Sequence, residues 1–227
     1  MLPCGSLSTI DRIYVLYGIN SMLVTLGLEA LDAEMGKDPF LTAFAPIKII
    51  TAGGFVAVSY LKCRDSTDDI DYLLDPEWAQ DEDIKKPLRE AMDKVARLLH
   101  FNKNWINEDI ALFVTQDSRK HLFQKAEEQN IVLWKGINLC ILAAPMEWAL
   151  ERKLRRIHHA DRGRKTAFDM RDAVALLKVL RDKNGGPLNR RNIANMNVNS
   201  FDVLPDDHTM SRVNAEYRKV FGEEIFL

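Results

Sequence analysis

With 227 residues, 47% of them hydrophobic and 28% charged, the chain is long enough to bury a substantial core and has the composition of an ordinary globular protein. A formal charge of -2 argues against any strong global attraction to nucleic acid or to an anionic membrane, so such a contact has to come from a local patch. Cys4, Cys63 and Cys140 stand far apart without a Cys-x-x-Cys or Cys/His spacing, which writes neither a disulfide framework nor a zinc site and suits a reducing, cytoplasmic setting.

The apolar stretch over residues 13–31, IYVLYGINSMLVTLGLEAL, is interrupted by Gly18, Asn20, Ser21 and Gly27 and follows Asp11 and Arg12. It reads as a buried helix and not as a membrane or signal segment. DPFLTAFAP (38–46) reads as a connection, and the β-branched run IKIITA (47–52) as a buried strand. Gly53-Gly54 then turns the chain tightly into a helix, FVAVSYL. A second strand is expected over 69–74, a loop over DPEWAQDED, and a helix over 81–99 on which Ile84, Leu88, Met92, Val95 and Leu99 recur at helical spacing. IALFV (110–114) reads as a third strand, SRKHLFQKAEEQ (118–129) as a helix, and IVLW and INLCILAA as two more apolar strand runs. From Pro145 the pattern turns helical in two long segments up to a Gly-Gly-Pro break at 185–187, and the tail holds a loop and an amphipathic helix around 211–221. The chain is thus expected to be α/β (α+β): an N-terminal helical segment (1–45), an α/β core (46–144) and a helical C-terminal region (145–227).

Asp65, Asp68, Asp69 and Asp71 crowd in just before Tyr72-Leu73-Leu74. On a strand, residues two apart share a face, so Asp69 and Asp71 project together while Asp68 and Ile70 point the other way. Paired carboxylates suit a hard divalent cation such as magnesium, which keeps waters or substrate phosphates as its remaining ligands; a short Asp-x-Asp therefore fits phosphoryl or nucleotidyl transfer. An acid-rich solvated turn has the same composition. A calcium loop starting at Asp65 is excluded, because its sixth position is Ile70 where glycine is required and its twelfth is Pro76 where glutamate is required. The Gly53-Gly54 turn opens a helix shortly upstream, where bare backbone amides can approach phosphate oxygens.

The combination TAGGFVAVSYLKCRDSTDDIDYLL resembles the signature of the nucleotidyltransferase-fold superfamily, a glycine pair followed by Asp-hydrophobic-Asp on the next strand. In detail it is similar to the branch of abortive-infection toxin nucleotidyltransferases and related uncharacterised proteins, matched at Arg64, Thr67, Asp69, Ile70 and Asp71. A second element of that branch is matched in CILAAPMEWALERKLRRIHHADRGRKTAFDMRDAV by Lys153, Asp169 and Asp172. The resemblance implies a small mixed sheet with flanking helices. It also implies metal-dependent transfer of a nucleoside monophosphate from a nucleoside triphosphate such as ATP to a hydroxyl on a protein, an RNA or a small molecule. In that scheme Asp69 and Asp71 hold Mg2+ or Mn2+, and Gly53, Gly54, Ser59, Arg64 and Thr67 help hold the nucleotide. Lys153 offsets charge on the triphosphate, and Asp169 and Asp172 orient Lys153 or Arg155. Active members often add a third carboxylate from a later strand; here Glu108 and Asp109 are the only acids in the right order. Without that acid, the same core would be a nucleotide-binding or interaction module.

Between residues 152 and 165 the chain carries Arg152, Lys153, Arg155, Arg156, Arg162, Arg164 and Lys165 against Asp161 alone. Such a run suits a triphosphate, an RNA or a protein acceptor, or a solvated helix face. The tandem His158-His159 within it lacks a metal-ligand spacing.

Overall fold

The structure, a computed structural model, describes residues 19–159 and 164–227. Residues 13–18 of the expected first helix, and Asp161 and Arg162 of the basic run, lie outside them. The chain divides into two units, one formed by the chain up to Phe113 together with Ile131–Leu142, the other by Val114–Asn130 and Ala143–Leu227.

In the first unit, Asn20 ends the short strand β1 (Ile19–Asn20) and its side chain accepts the Leu23 N–H at 3.0 Å, which starts helix α1 (Ser21–Met35). The expected connection that follows contains a helical turn, α2 (Pro39–Ala43). Asp38 accepts the N–H groups of Phe40 and Leu41, and Pro39 stands at the first helical position, where a missing N–H costs nothing. Strand β2 (Ile47–Ala52) leads through Gly53 into α3 (Gly54–Ser59). Strand β3 (Ser66–Thr67) pairs with β1 in a separate two-stranded ribbon, β4 spans Ile70–Leu74, and α4 spans Glu82–Leu99.

The third expected strand is displaced. Ile106–Asn107 form β5, whereas the apolar run after it is a 3₁₀ helix over Asp109–Phe113. Two hydrogen bonds turn the chain there: Asp109 N–H to the Asn107 side-chain oxygen at 3.0 Å, and Ala111 N–H to the Glu108 carbonyl at 2.9 Å. Strands β6 (Val132–Lys135) and β7 (Leu139–Ala143) complete a five-stranded mixed sheet in the order β5-β4-β2-β7-β6. β2 and β4 are antiparallel, with Ile50 opposite Leu73 and Ala52 opposite Asp71; β4 and β5 are parallel, with Asp71 beside Asn107.

Strand alternation sorts the sheet. Ile47, Ile49, Ile70, Tyr72 and Leu74 enter one core with Val24, Leu28 and Leu31 of α1 and Ile84, Leu88, Met92 and Val95 of α4. Ile50, Ala52, Asp71 and Leu73 therefore share the other face. The α1 side of the core admits no Cβ at Gly27, where one would stand 2.8 Å from the Phe101 ring and 2.9 Å from Trp105. Asp32 ties α1 to the β6–β7 hairpin, its carboxylate accepting the N–H groups of Ile137, Asn138 and Leu139 at 3.1, 2.7 and 2.9 Å.

The second unit is helical: α5 (Gln116–Gln129), α6 (Met146–His158), α7 (Arg164–Asn184), α8 (Arg190–Ala194) and α9 (Asp207–Phe221). Helix α5, expected inside the α/β core, groups with the C-terminal helices. Leu150, Leu154 and Ile157 on α6 and Ala173, Leu176, Leu177 and Leu180 on α7 are buried where these two helices pack. Among the described residues no helix is long and apolar enough to cross a membrane.

Candidate functional site

The sheet register sets the Gly53-Gly54 turn against the acidic strand. Ala52 lies opposite Asp71, and Gly53 follows it with φ +86°, a left-handed conformation that glycine adopts without strain. A Cβ on Gly53 would stand 3.4 Å from Asp71 Oδ2. Gly54 is constrained by space: a Cβ there would overlap the Thr67 hydroxyl, approach the Thr67 Cβ to 2.8 Å and lie 3.8 Å from a terminal nitrogen of Arg64. The small residues of the turn therefore let Arg64, Thr67 and Asp71 close around it.

Hydrogen bonds hold the acidic pair. The Thr67 hydroxyl donates to the Asp69 carbonyl at 3.0 Å, and the Thr51 hydroxyl donates to the Asp71 carbonyl at 2.6 Å. Asp69 directly precedes β4, and its Oδ2 lies 3.5 Å from the Asn107 side-chain nitrogen. Asn107 is a residue the sequence reading missed. Its only sequence signal is a place one step before the Glu108-Asp109 pair, and a two-residue strand is too short for alternation to reveal. Its side-chain oxygen is taken by the Asp109 N–H, so the amide turns its N–H2 group toward Asp69.

The two acids considered as a third ligand are placed as follows. Glu108 Oε1 accepts the Leu74 N–H at 3.3 Å, at the opposite end of β4 from Asp69, and Oε2 is 4.0 Å from Lys85. Asp109 is exposed at the start of the 3₁₀ helix. Among the described residues no group of three or more His, Cys, Asp or Glu side chains is placed to hold a metal ion. What the cluster offers a cation is two carboxylates, a hard oxygen set of the kind magnesium takes when phosphates and water fill its other positions. Ser59 is also set apart. It ends α3 roughly 7 Å along the helix axis from Gly54, five residues at about 1.5 Å each, and lines a different cavity.

Lys153, Asp169 and Asp172 come together within the second unit. Lys153 is 3% exposed and its ammonium lies 2.8 Å from Asp169 Oδ1 and 2.5 Å from Asp172 Oδ2, both acids being equally buried. Arg156 stands 3.8 Å from Asp169 and balances the second negative charge. The expected contact of Lys153 with a triphosphate thus meets an ammonium already held between two carboxylates. Among its described residues the basic run is not all surface either. Arg155 is buried and paired with Glu151 and Asp202, and its guanidinium also donates to the Met196 carbonyl at 3.0 Å. Burial raises the Glu151 carboxyl above its ordinary pKa, against the opposing pull of Arg155. Burial, and then the charge of Arg156, lower the Arg152 guanidinium. His158 Nδ1 is 3.2 Å from the Thr209 hydroxyl and 3.4 Å from Asp206, which ties it to the start of α9.

The sequence model of one family, described as "Domain of unknown function (DUF7582)", matches residues 56–224, which is most of the chain, and the chain belongs to that family. The match takes in Arg64, Thr67, Asp69, Asp71 and the Lys153 cluster, and begins just after the glycine turn. No curated protein and no solved structure matches the chain.

Proposed function

We propose that this family member binds a nucleoside triphosphate with a divalent cation at the Gly53–Asp71 cluster and transfers its nucleoside monophosphate to a hydroxyl acceptor. The observation that carries the reading is that the glycine turn lies against Asp71, whose Oδ2 would stand 3.4 Å from a Cβ on Gly53, while Thr67 and Arg64 pack onto Gly54. In this reading the amides of Gly53 and Gly54 donate to phosphate oxygens, Arg64 pairs with the same anion, and Asp69 and Asp71 hold Mg2+ or Mn2+. The cation, when bound, offsets charge on the phosphates. Thr67 and Thr51 fix the backbone carbonyls of the two aspartates, and Asn107 steers the Asp69 carboxylate, so catalysis would rest on positioning and electrostatics. Lys153, held between Asp169 and Asp172, organises α6 on α7 within the second unit. The remaining exposed basic side chain of the 152–165 run that the structure describes, Lys165, with half-buried Arg152 and Arg156, is where an RNA or protein acceptor would be sought. Cys63 and Cys140, neither in a disulfide, fit a cytoplasmic setting.

Incubation with each labelled nucleoside triphosphate and Mg2+ or Mn2+ should give transfer and pyrophosphate release, both lost in Asp69→Asn plus Asp71→Asn. Transfer that survives the double change sinks the assignment. A second reading, binding without turnover, is favoured by one observation: the residue beside Asp71 on β5 is Asn107, an amide and not an acid. Calorimetry showing cation-dependent nucleotide binding with no pyrophosphate release across acceptors would select it.

A further inference from the structure

A cavity of about 160 Å3 in the first unit is lined by Ser21, Val24, Thr25 and Leu28 of α1, Phe55 and Ser59 of α3, Lys62, and Leu133 and Trp134 of β6. Val24, Leu28 and Phe55 belong to the core on the α1 side of the sheet, whereas Asp71 shares the opposite face with Leu73, so this cavity is separate from the acidic cluster.

Its chemistry is divided. The floor is apolar and buried, from Val24, Leu28 and Phe55, and one wall carries the Trp134 indole. Exposed Lys62 and half-buried Ser59 and Trp134, also in the lining, bring donors. Among the described residues the Lys62 ammonium makes no ion pair, and neither the Ser59 hydroxyl nor the Trp134 indole N–H has a hydrogen-bond partner. Thr25, by contrast, spends its hydroxyl on the Ser21 carbonyl at 3.0 Å. Lys62 also holds a left-handed backbone, φ 53°, which glycine or asparagine adopts with less strain. A long cation is thus kept at the cavity where a small residue would suit the backbone better.

We propose that this cavity is a binding site for a small aromatic carboxylate, a single planar ring bearing one acid group. Size selects the ring, since a cavity of about 150 Å3 with apolar walls admits a benzene-sized molecule. The donors select the acid: an ammonium, a hydroxyl and an indole N–H match the acceptor-only oxygens of a carboxylate, and the ammonium distinguishes that anion from a neutral amide of the same shape. The site stands independently of nucleotidyl transfer.

Benzoate is the probe, titrated against the full chain by calorimetry and by the NMR shift of the Trp134 indole N–H, assigned with Trp134→Phe. Saturable binding in the millimolar range that suits so small a ligand, localised to the Trp134 signal, is expected, with benzamide at least about tenfold weaker for loss of the charged contact. Lys62→Gly, which removes the ammonium and relaxes the backbone, should weaken benzoate by a similar factor while leaving the chain folded by circular dichroism. Ser59→Phe, which fills the cavity, should abolish binding, and Lys62→Arg should retain it. No saturable binding, a Trp134 signal that does not move, benzamide binding as well as benzoate, or undiminished binding by Lys62→Gly would each overturn the proposal.

Discussion

Replacing Gly54 with alanine tests whether the glycine turn is a spatial requirement of the Thr67 contact or only a flexible joint. The new methyl would overlap the Thr67 hydroxyl and stand 2.8 Å from its Cβ. Rotating Thr67 away from the first clash breaks its 3.0 Å bond to the Asp69 carbonyl, a loss of about 1 kcal/mol. The Cβ–Cβ approach survives that rotation and has to be relieved by moving β3 from α3, overpacking that costs about 1–3 kcal/mol. Against this, alanine gains up to about 1 kcal/mol over glycine in a helix. The balance is a destabilisation of about 1–3 kcal/mol, read as a fall in the urea midpoint with an unchanged slope. Thr67→Ala alone should cost about 1 kcal/mol for the same hydrogen bond. In the double variant the hydroxyl clash no longer exists, so the losses should fall short of additivity by about 1 kcal/mol, beyond the roughly 0.5 kcal/mol seen for independent sites. Additive losses, or a Gly54→Ala variant more stable than the parent, would refute the packing argument.

Lys153→Met leaves Asp169 and Asp172 buried without their cation and should cost about 3–5 kcal/mol, whereas replacing all three by apolar residues of similar volume should recover most of it; thermal unfolding of the single and triple variants checks this. Asp32→Ala strips three backbone N–H groups of a charged acceptor and should cost about 2–4 kcal/mol, from a per-bond value of about 1.5 kcal/mol or more discounted for water access. Amide exchange should show loss of protection at residues 137–139 ahead of the rest of the sheet. At the start of α9, the Thr209 N–H, bonded at 2.7 Å, and then the Thr209 hydroxyl hold the Asp206 carboxyl below its ordinary pKa. The folded state therefore binds that proton more weakly than the unfolded chain. The stabilisation is complete above the ordinary aspartate pKa of about 3.9 and is lost as pH falls through the lower folded value. Asp206→Asn, which keeps an N-cap, should flatten this acid-range part of the stability profile.

Much of the first unit is legible because its determinants are local. Ile47–Ala52 is apolar and β-branched and ends in two glycines, and it is a strand followed by a turn. Helix Glu82–Leu99 carries its period in Ile84, Leu88, Met92 and Val95 and its start in Asp81, whose side chain accepts the Asp83 N–H at 2.9 Å. The pairing of the glycine turn with Asp71 follows from an antiparallel register that two adjoining hydrophobic runs specify.

The tertiary structure decided what depends on partners distant in sequence. Asn107 became a neighbour of Asp71 only because a two-residue strand found β4, and the apolar run after it was diverted into a 3₁₀ helix by two short-range hydrogen bonds. For Lys153 the resemblance already named Asp169 and Asp172 as partners, and the structure adds their burial; Arg155 instead meets Glu151 on its own helix and Asp202 from a later loop, neither of which the sequence singled out. The residue types on α6 show that charges must be solvated or paired. Burying a charged group costs several kcal/mol unless an opposite charge meets it, and that Asp202 meets Arg155 is a property of tertiary packing, which no local pattern contains.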